Sequence, residues 1–254
     1  MVMMKISNIL LGTFLVLSVA MAQGEPLIVA VAANVKFVFD ELKAEFKKTS
    51  GIDVNGVFAS SGKINAQIKS GAPYDVFMSA DMEFPELLHK EGWAVASPRV
   101  YARGVLVLWT LQALDMSQGL SVLTHPAVKK VAMANPKLAP YGAEAMHALE
   151  HFKLRAMVEP KLIYGESIAQ VNQYIDTKSV EIGFTAKSVV LAPQMQGRGL
   201  WIEVPRDSYR PIDQGIVMLK HGNETNALAA KQFMEFIASA KARSILEKFG
   251  YILP

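Results

Sequence analysis

Apolar positions along the chain follow two rhythms: short unbroken runs, and stretches where they recur at helical spacing. Leu27 to Ala33 is an unbroken run, β-rich at its start and suited to a strand buried on both faces. Asn34, a favoured N-cap, follows. Val35, Val38, Leu42 and Phe46 then share a helix face until Gly51 stops it. The unit repeats in kind. Val54 to Phe58 predicts a strand, Ser60 and Ser61 caps, and Ile64 and Ile68 one helix face. Tyr74 to Met78 predicts a third strand, after which Ser79-Ala-Asp81 opens a helix through Leu87 and Leu88.

From Gly104 to Trp109 another strand begins a second set. Lys130 to Met133 leads through Pro140-Tyr-Gly142 to a helix containing Ala145, Leu149 and Phe152. Lys161 to Tyr164 leads through Glu166-Ser167 to a helix face of Ile168, Val171 and Ile175. Ile182 to Thr185 and Gly215 to Leu219 predict two further strands, and Asn226 to Phe249 is helical. Strands alternating with helices predict parallel, doubly wound α/β sheets. The pattern divides into two lobes with boundaries near residues 100 and 205: residues 23–102 with about 205–254 form lobe I, and residues 103–204 form lobe II.

Composition adds compartment. Lys5 is the only charge before Glu25, Ile9 to Ala22 is almost wholly apolar, and the run ends in Ala20-Met-Ala22, a small-x-small cleavage signature. Residues 1–22 are therefore expected to be a cleaved signal peptide of a soluble exported protein. Its removal takes Lys5 and lowers the net charge from +3 to +2. No cysteine occurs, so neither disulfides nor thiolate metal ligands are expected. Lys and Arg are dispersed, unlike the basic stripe that nucleic acid binding requires.

Ser60-Ser-Gly-Lys63 admits three chemistries. A phosphate loop needs four residues between its glycines and a Ser or Thr after the lysine. Gly56 and Gly62 have five between them, and Ile64 follows Lys63. A serine–lysine acyl enzyme using Ser60 and Lys63 also wants S-D-N and K-T-G elements, and neither string occurs. An anion seat at a helix start needs only strand, hydroxyl and unpartnered first-turn N–H groups. Asn34, Ser61, Ala80, Tyr141 and Ile168 each stand where a strand hands over to a helix, and in open parallel sheets such junctions gather at the carboxyl strand ends.

On these residues the chain resembles a known family. Ala32-Ala-Asn34, Phe58-Ala-Ser-Ser61, Gly71-Ala-Pro-Tyr-Asp-Val-Phe-Met-Ser-Ala-Asp81, Asn135-Pro-Lys-Leu-Ala-Pro-Tyr-Gly142 and Gly183-Phe184 are similar, in order, to periplasmic molybdate-binding proteins of ABC importers. The resemblance implies a two-lobed periplasmic-binding-protein fold, each lobe a mostly parallel sheet flanked by helices, with the ligand in the inter-lobe cleft. It implies a monomer without enzymatic activity or cofactor, which captures molybdate or tungstate and delivers it to the membrane permease subunits. Molybdenum would enter only as the oxyanion, held by hydroxyl or amide groups and backbone N–H without direct metal ligands. The first-lobe contacts would fall on Asn34, Ser61 and Ala80, and the second-lobe contacts on Tyr141, through its main-chain N–H, and Ile168. Asn34 stands where many members have Ser. Phe184 stands where many have a ligand-touching Tyr; its ring is expected to line the site, so that a Tyr hydroxyl there would reach the anion.

Two rivals accompany this reading. Sulfate and other tetrahedral oxyanions accept the same hydrogen bonds. His147-Ala-Leu-Glu150-His151 matches H-x-x-E-H, an inverted zinc-peptidase motif in which His147 and His151 would ligate and Glu150 act as base.

Overall fold

The computed structural model describes residues 25–254; the predicted signal peptide lies outside the described residues. Two five-stranded sheets organise the chain. The first is built from β1 (Leu27–Ala32), β2 (Val54–Ala59), β3 (Val76–Met78), β4 (Arg99–Gly104) and β10 (Ile212–Met218), in the order β2-β1-β3-β10-β4. The second contains β5 (Leu106–Thr110), β6 (Val131–Ala134), β7 (Leu162–Gly165), β8 (Ile182–Ala186) and β9 (Leu200–Glu203), in the order β7-β6-β8-β5-β9. Each sheet has a parallel core of three strands and two antiparallel additions. Both sheets are thus mixed, flanked by helices in the two-lobed fold.

The run expected as one strand from Gly104 breaks at Val105 and belongs to both sheets. Residues before the break pair with β10, and those after it pair with β8 and β9. The chain crosses between sheets here, where Lys187 N–H donates to the Val105 carbonyl at 2.9 Å and Val204 N–H to the Leu106 carbonyl at 3.0 Å. It crosses back between β9 and β10.

Helices α1 (Lys36–Ser50), α2 (Ser61–Lys69) and α3 (Glu83–Lys90) follow the first three strands. In the second set, α4 (Pro140–His151), a short α5 (Arg155–Val158), α6 (Ile168–Asp176) and α7 (Lys187–Val190) follow β6, β7 and β8. The C-terminal stretch is three helices, α8 (Lys220–Thr225), α9 (Ala227–Ile237) and α10 (Ala240–Lys248). Phe39 and Phe46 of α1 pack on Phe233 of α9, with centroids 6.3 and 5.2 Å apart. That contact joins the ends of the chain around the first sheet.

Register places the strand ends level. Ala32 pairs with Ala59, and Val31 with Met78. Ala134 pairs with Gly165 in the second sheet. The helices that follow therefore start at one height on each lobe. At α4 this requires a glycine: a Cβ on Gly142 would lie 2.0 Å from the Ala134 carbonyl oxygen, so only glycine lets the helix start sit on the end of β6.

Candidate functional site

The five predicted junctions meet at one small cavity, lined by Asn34, Ser61, Ala80, Tyr141 and Ile168 together with Ala32, Ala33, Ser60, Ala139 and Pro140. None of these side chains carries a charge. Four helical segments begin here: the 3-10 turn Ala33–Val35 leading into α1, and α2, α4 and α6. The first N–H groups of each have no acceptor inside the helix, and their aligned dipoles leave partial positive charge at these ends. Pro140 suits the first position of α4, where a missing N–H is harmless.

Individual roles differ from the sequence expectation. Ser60, not Ser61, is the cap of α2, its hydroxyl accepting Lys63 N–H at 3.4 Å. Ser61 is buried, and its Oγ accepts Ala80 N–H at 3.0 Å. That bond engages the Ala80 donor and leaves the Ser61 hydroxyl proton to point elsewhere. Asn34 does not cap α1, which has no side-chain cap. Its amide Nδ2 donates to Gln214 Oε1 and to Tyr251 Oη, both at 3.2 Å. Both amide hydrogens are thereby engaged, so Asn34 has only its main-chain N–H to offer a ligand.

Phe184 is not among the cavity-lining residues. Side chains alternate across a strand. Its neighbours Gly183 and Thr185 face α6, where a Cβ on Gly183 would meet Ile175 at 2.7 Å and Thr185 Oγ1 donates to Asn172 at 2.6 Å. Phe184 faces the other side of β8 and is buried in the core. The expectation that its ring lines the site is therefore not met.

The lobes touch across the cavity's mouth. Gly62 N–H donates to the Leu138 carbonyl at 2.9 Å, and Lys63 Nζ lies 2.9 Å from the Glu166 carboxylate. Behind the cavity, Tyr101, Tyr141 and Tyr251 are buried, and burial pushes all three phenols above their usual range, Tyr251 to about 12. They stay neutral hydrogen-bonding groups at physiological pH.

Charged side chains collect in a wider cleft that shares Ala139 and Pro140 with the cavity. Asp81, Glu83, Lys137, Glu144 and Arg210 line it. Buried Glu144 accepts from Arg210 N at 2.8 Å, Nε at 3.1 Å and Nη2 at 2.9 Å. Burial pushes Asp81 up to about 6.

The H-x-x-E-H spacing does not assemble a metal site. His147 Nδ1 lies 2.9 Å from Glu144, Glu150 pairs with Arg155, and His151 packs edge-on against Phe152. Among the described residues no cluster of three His, Cys, Asp or Glu could hold a metal ion.

Sequence reasoning missed Leu138, Gln214, Tyr101, Tyr251 and Ser188, which hold the site from behind or across. A lone Gln in Ile212-Asp-Gln-Gly-Ile216 reads as a solvent-facing strand position, and nothing local marks it otherwise. Leu138, Ala139 and Pro140 could have been found, because they belong to the quoted Asn135–Gly142 block.

Residues 27–252 match the bacterial extracellular solute-binding protein family. A molybdate-binding protein of Azotobacter vinelandii is 38% identical over 231 residues, covering 91% of each chain. Its counterpart in Rhodobacter capsulatus is also 38% identical, over 93% of this chain and 91% of its own. The solved periplasmic molybdate-binding protein of A. vinelandii superposes with a TM-score of 0.84 at 32% identity, covering 90% of this chain and 99% of that one. This chain belongs to the bacterial extracellular solute-binding proteins.

Proposed function

We propose that the protein captures molybdate, and tungstate with it, and hands the oxyanion to the membrane permease of an ABC importer. One observation carries this reading: helix starts from both lobes converge on a single cavity lined only by neutral side chains. A tetrahedral dianion there would be held by main-chain N–H of Asn34, Ser61, Tyr141 and Ile168 and by the Ser61 hydroxyl. Ala80 would act through Ser61, whose oxygen its N–H holds. Hydrogen bonds to a charged group contribute roughly 1.5–3 kcal/mol each. Neutral dipoles avoid the desolvation of a buried Arg and leave the anion free to depart when the lobes part. The protein is a binding protein, not an enzyme, and needs no cofactor for this task.

The proposal divides the protein into lobe I, residues 23–102 plus about 205–254, and lobe II, residues 103–204. Export behind a signal peptide at residues 1–22, a periplasmic location and a monomeric state complete the proposal. Calorimetric titration of the mature protein with molybdate, tungstate, sulfate and phosphate tests it. One site per chain filled by molybdate and tungstate is expected. Binding of sulfate in preference to molybdate, or of none of the four, would overturn it.

A further inference from the structure

We propose that Gln214 is a positioning residue for the oxyanion cavity, its single carboxamide holding Asn34 on one side of the cleft and Tyr141 on the other. The inference rests on the oxyanion-capture reading above. A main-chain N–H cannot be re-aimed by a rotamer change, so what grips its residue decides where it points. Asn34 and Tyr141 offer such groups from opposite lobes, and both are tied to Gln214.

Gln214 is completely buried on β10, where the pairing with β4 slips between Gln214 and Gly215. Its Oε1 accepts Tyr101 Oη at 2.7 Å and Asn34 Nδ2 at 3.2 Å. Its Nε2 donates to Tyr141 Oη at 3.1 Å. The Asn34 carbonyl is gripped as well, by Ser188 Oγ at 2.9 Å and Tyr251 Oη at 3.3 Å. Tyr141 comes from α4 and Ser188 from α7, beside the second sheet, whereas Asn34, Tyr101 and Gln214 belong to the first. Two of these hydrogen bonds therefore span the lobes.

The network sits where the chain crosses between the sheets. A Cβ on Gly104 would lie 2.0 Å from Tyr141 Oη and 2.6 Å from Gln214 Nε2, so glycine there makes room for the link. Because the Gln214–Tyr141 bond joins the lobes, it should stabilise the closed, ligand-gripping form. Its loss should hasten release rather than slow capture.

The test compares wild type with Tyr141→Phe and Gln214→Met, measuring molybdate association and dissociation rates and ligand-free thermal unfolding. Tyr141→Phe keeps the ring and the main-chain N–H and removes only the hydroxyl, so it serves if Gln214→Met fails to fold. Either variant should release molybdate roughly five- to 150-fold faster, the range for leaving one buried polar group unpaired, with association unchanged. Gly104→Ala, which crowds both atoms, should do the same. A merely structural network would lower the unfolding temperature and leave the release rate alone; that result for Tyr141→Phe overturns the inference while the capture reading stands. A wild type that binds no oxyanion overturns both.

Discussion

Ser61→Ala is the sharpest probe of the cavity because the structure gives that hydroxyl two jobs. Its oxygen accepts Ala80 N–H at 3.0 Å, and among the described residues its proton meets no acceptor, which leaves it for a ligand in the cavity Ser61 lines. The donor to a bound dianion contributes roughly 1.5–3 kcal/mol, a tenfold to about 150-fold change in dissociation constant. Without the oxygen, Ala80 N–H is orphaned in a buried setting, which costs the ligand-free protein roughly 1–3 kcal/mol. If the anion then accepts that N–H directly, part of the affinity returns, so affinity and stability must be read together. Calorimetric titration with molybdate gives the first, and urea unfolding of the ligand-free variant the second. Ser60→Ala is the control: it removes the α2 cap, for which roughly 0.5–2 kcal/mol of stability is expected, and should lose less affinity than Ser61→Ala. A Ser61→Ala protein with wild-type affinity beside a Ser60→Ala protein with a large loss would refute the assignment.

Asp81 is pushed up to about 6 first by burial, with Glu83 and Glu86 adding to it against the hydrogen bonds from Ser79 and the Phe84 N–H. A folded value above the unfolded 3.8 means stability that is present below about pH 4 and lost as pH rises through 6. Asp81→Asn should therefore be more stable than wild type at pH 7.5 by up to about 3 kcal/mol, with the gap closing by pH 4; an equal gap at both pH values in urea titrations would refute this. Glu166→Gln cuts the half-exposed Lys63 pair across the mouth and should speed molybdate release by no more than about fivefold, since exposed pairs contribute roughly 0–1 kcal/mol. The difference should fade in high salt, and a salt-independent effect measured by stopped flow would contradict a screened pair. Phe184→Tyr puts a hydroxyl into the core and should destabilise the protein by roughly 1–3 kcal/mol without changing molybdate affinity; tighter binding in titration would show that the ring reaches the cavity.

The sequence alone settled what local chemistry controls. The run from Leu27 predicts a strand buried on both faces, which the structure forms over Leu27–Ala32 with Ala33 already in the turn that follows, and Pro140-Tyr-Gly142 begins a helix, so the β-then-α rhythm and its junction residues were legible. Parallel strands that each feed a helix must deliver those helix starts to the same end of the sheet, which is why Asn34, Ser61, Ala80, Tyr141 and Ile168 could be grouped before any coordinates. What tertiary structure decided is direction and partnership. The break at Val105, which leaves Gly104 in the first sheet and sends Leu106 to Thr110 into the second, is invisible because Val105 is as apolar as the strand residues that follow it. The strands β4 and β9 escaped notice because neither is an unbroken apolar run: β4 mixes exposed with buried positions, and no residue of β9 is buried. Phe184 was misplaced because period-two alternation fixes that its side chain opposes Gly183 and Thr185, but not which face α4 or α6 will cover. Asn34 was assigned a side-chain role because its partners, Gln214 and Tyr251, are 180 and 217 residues away, beyond the reach of any local pattern.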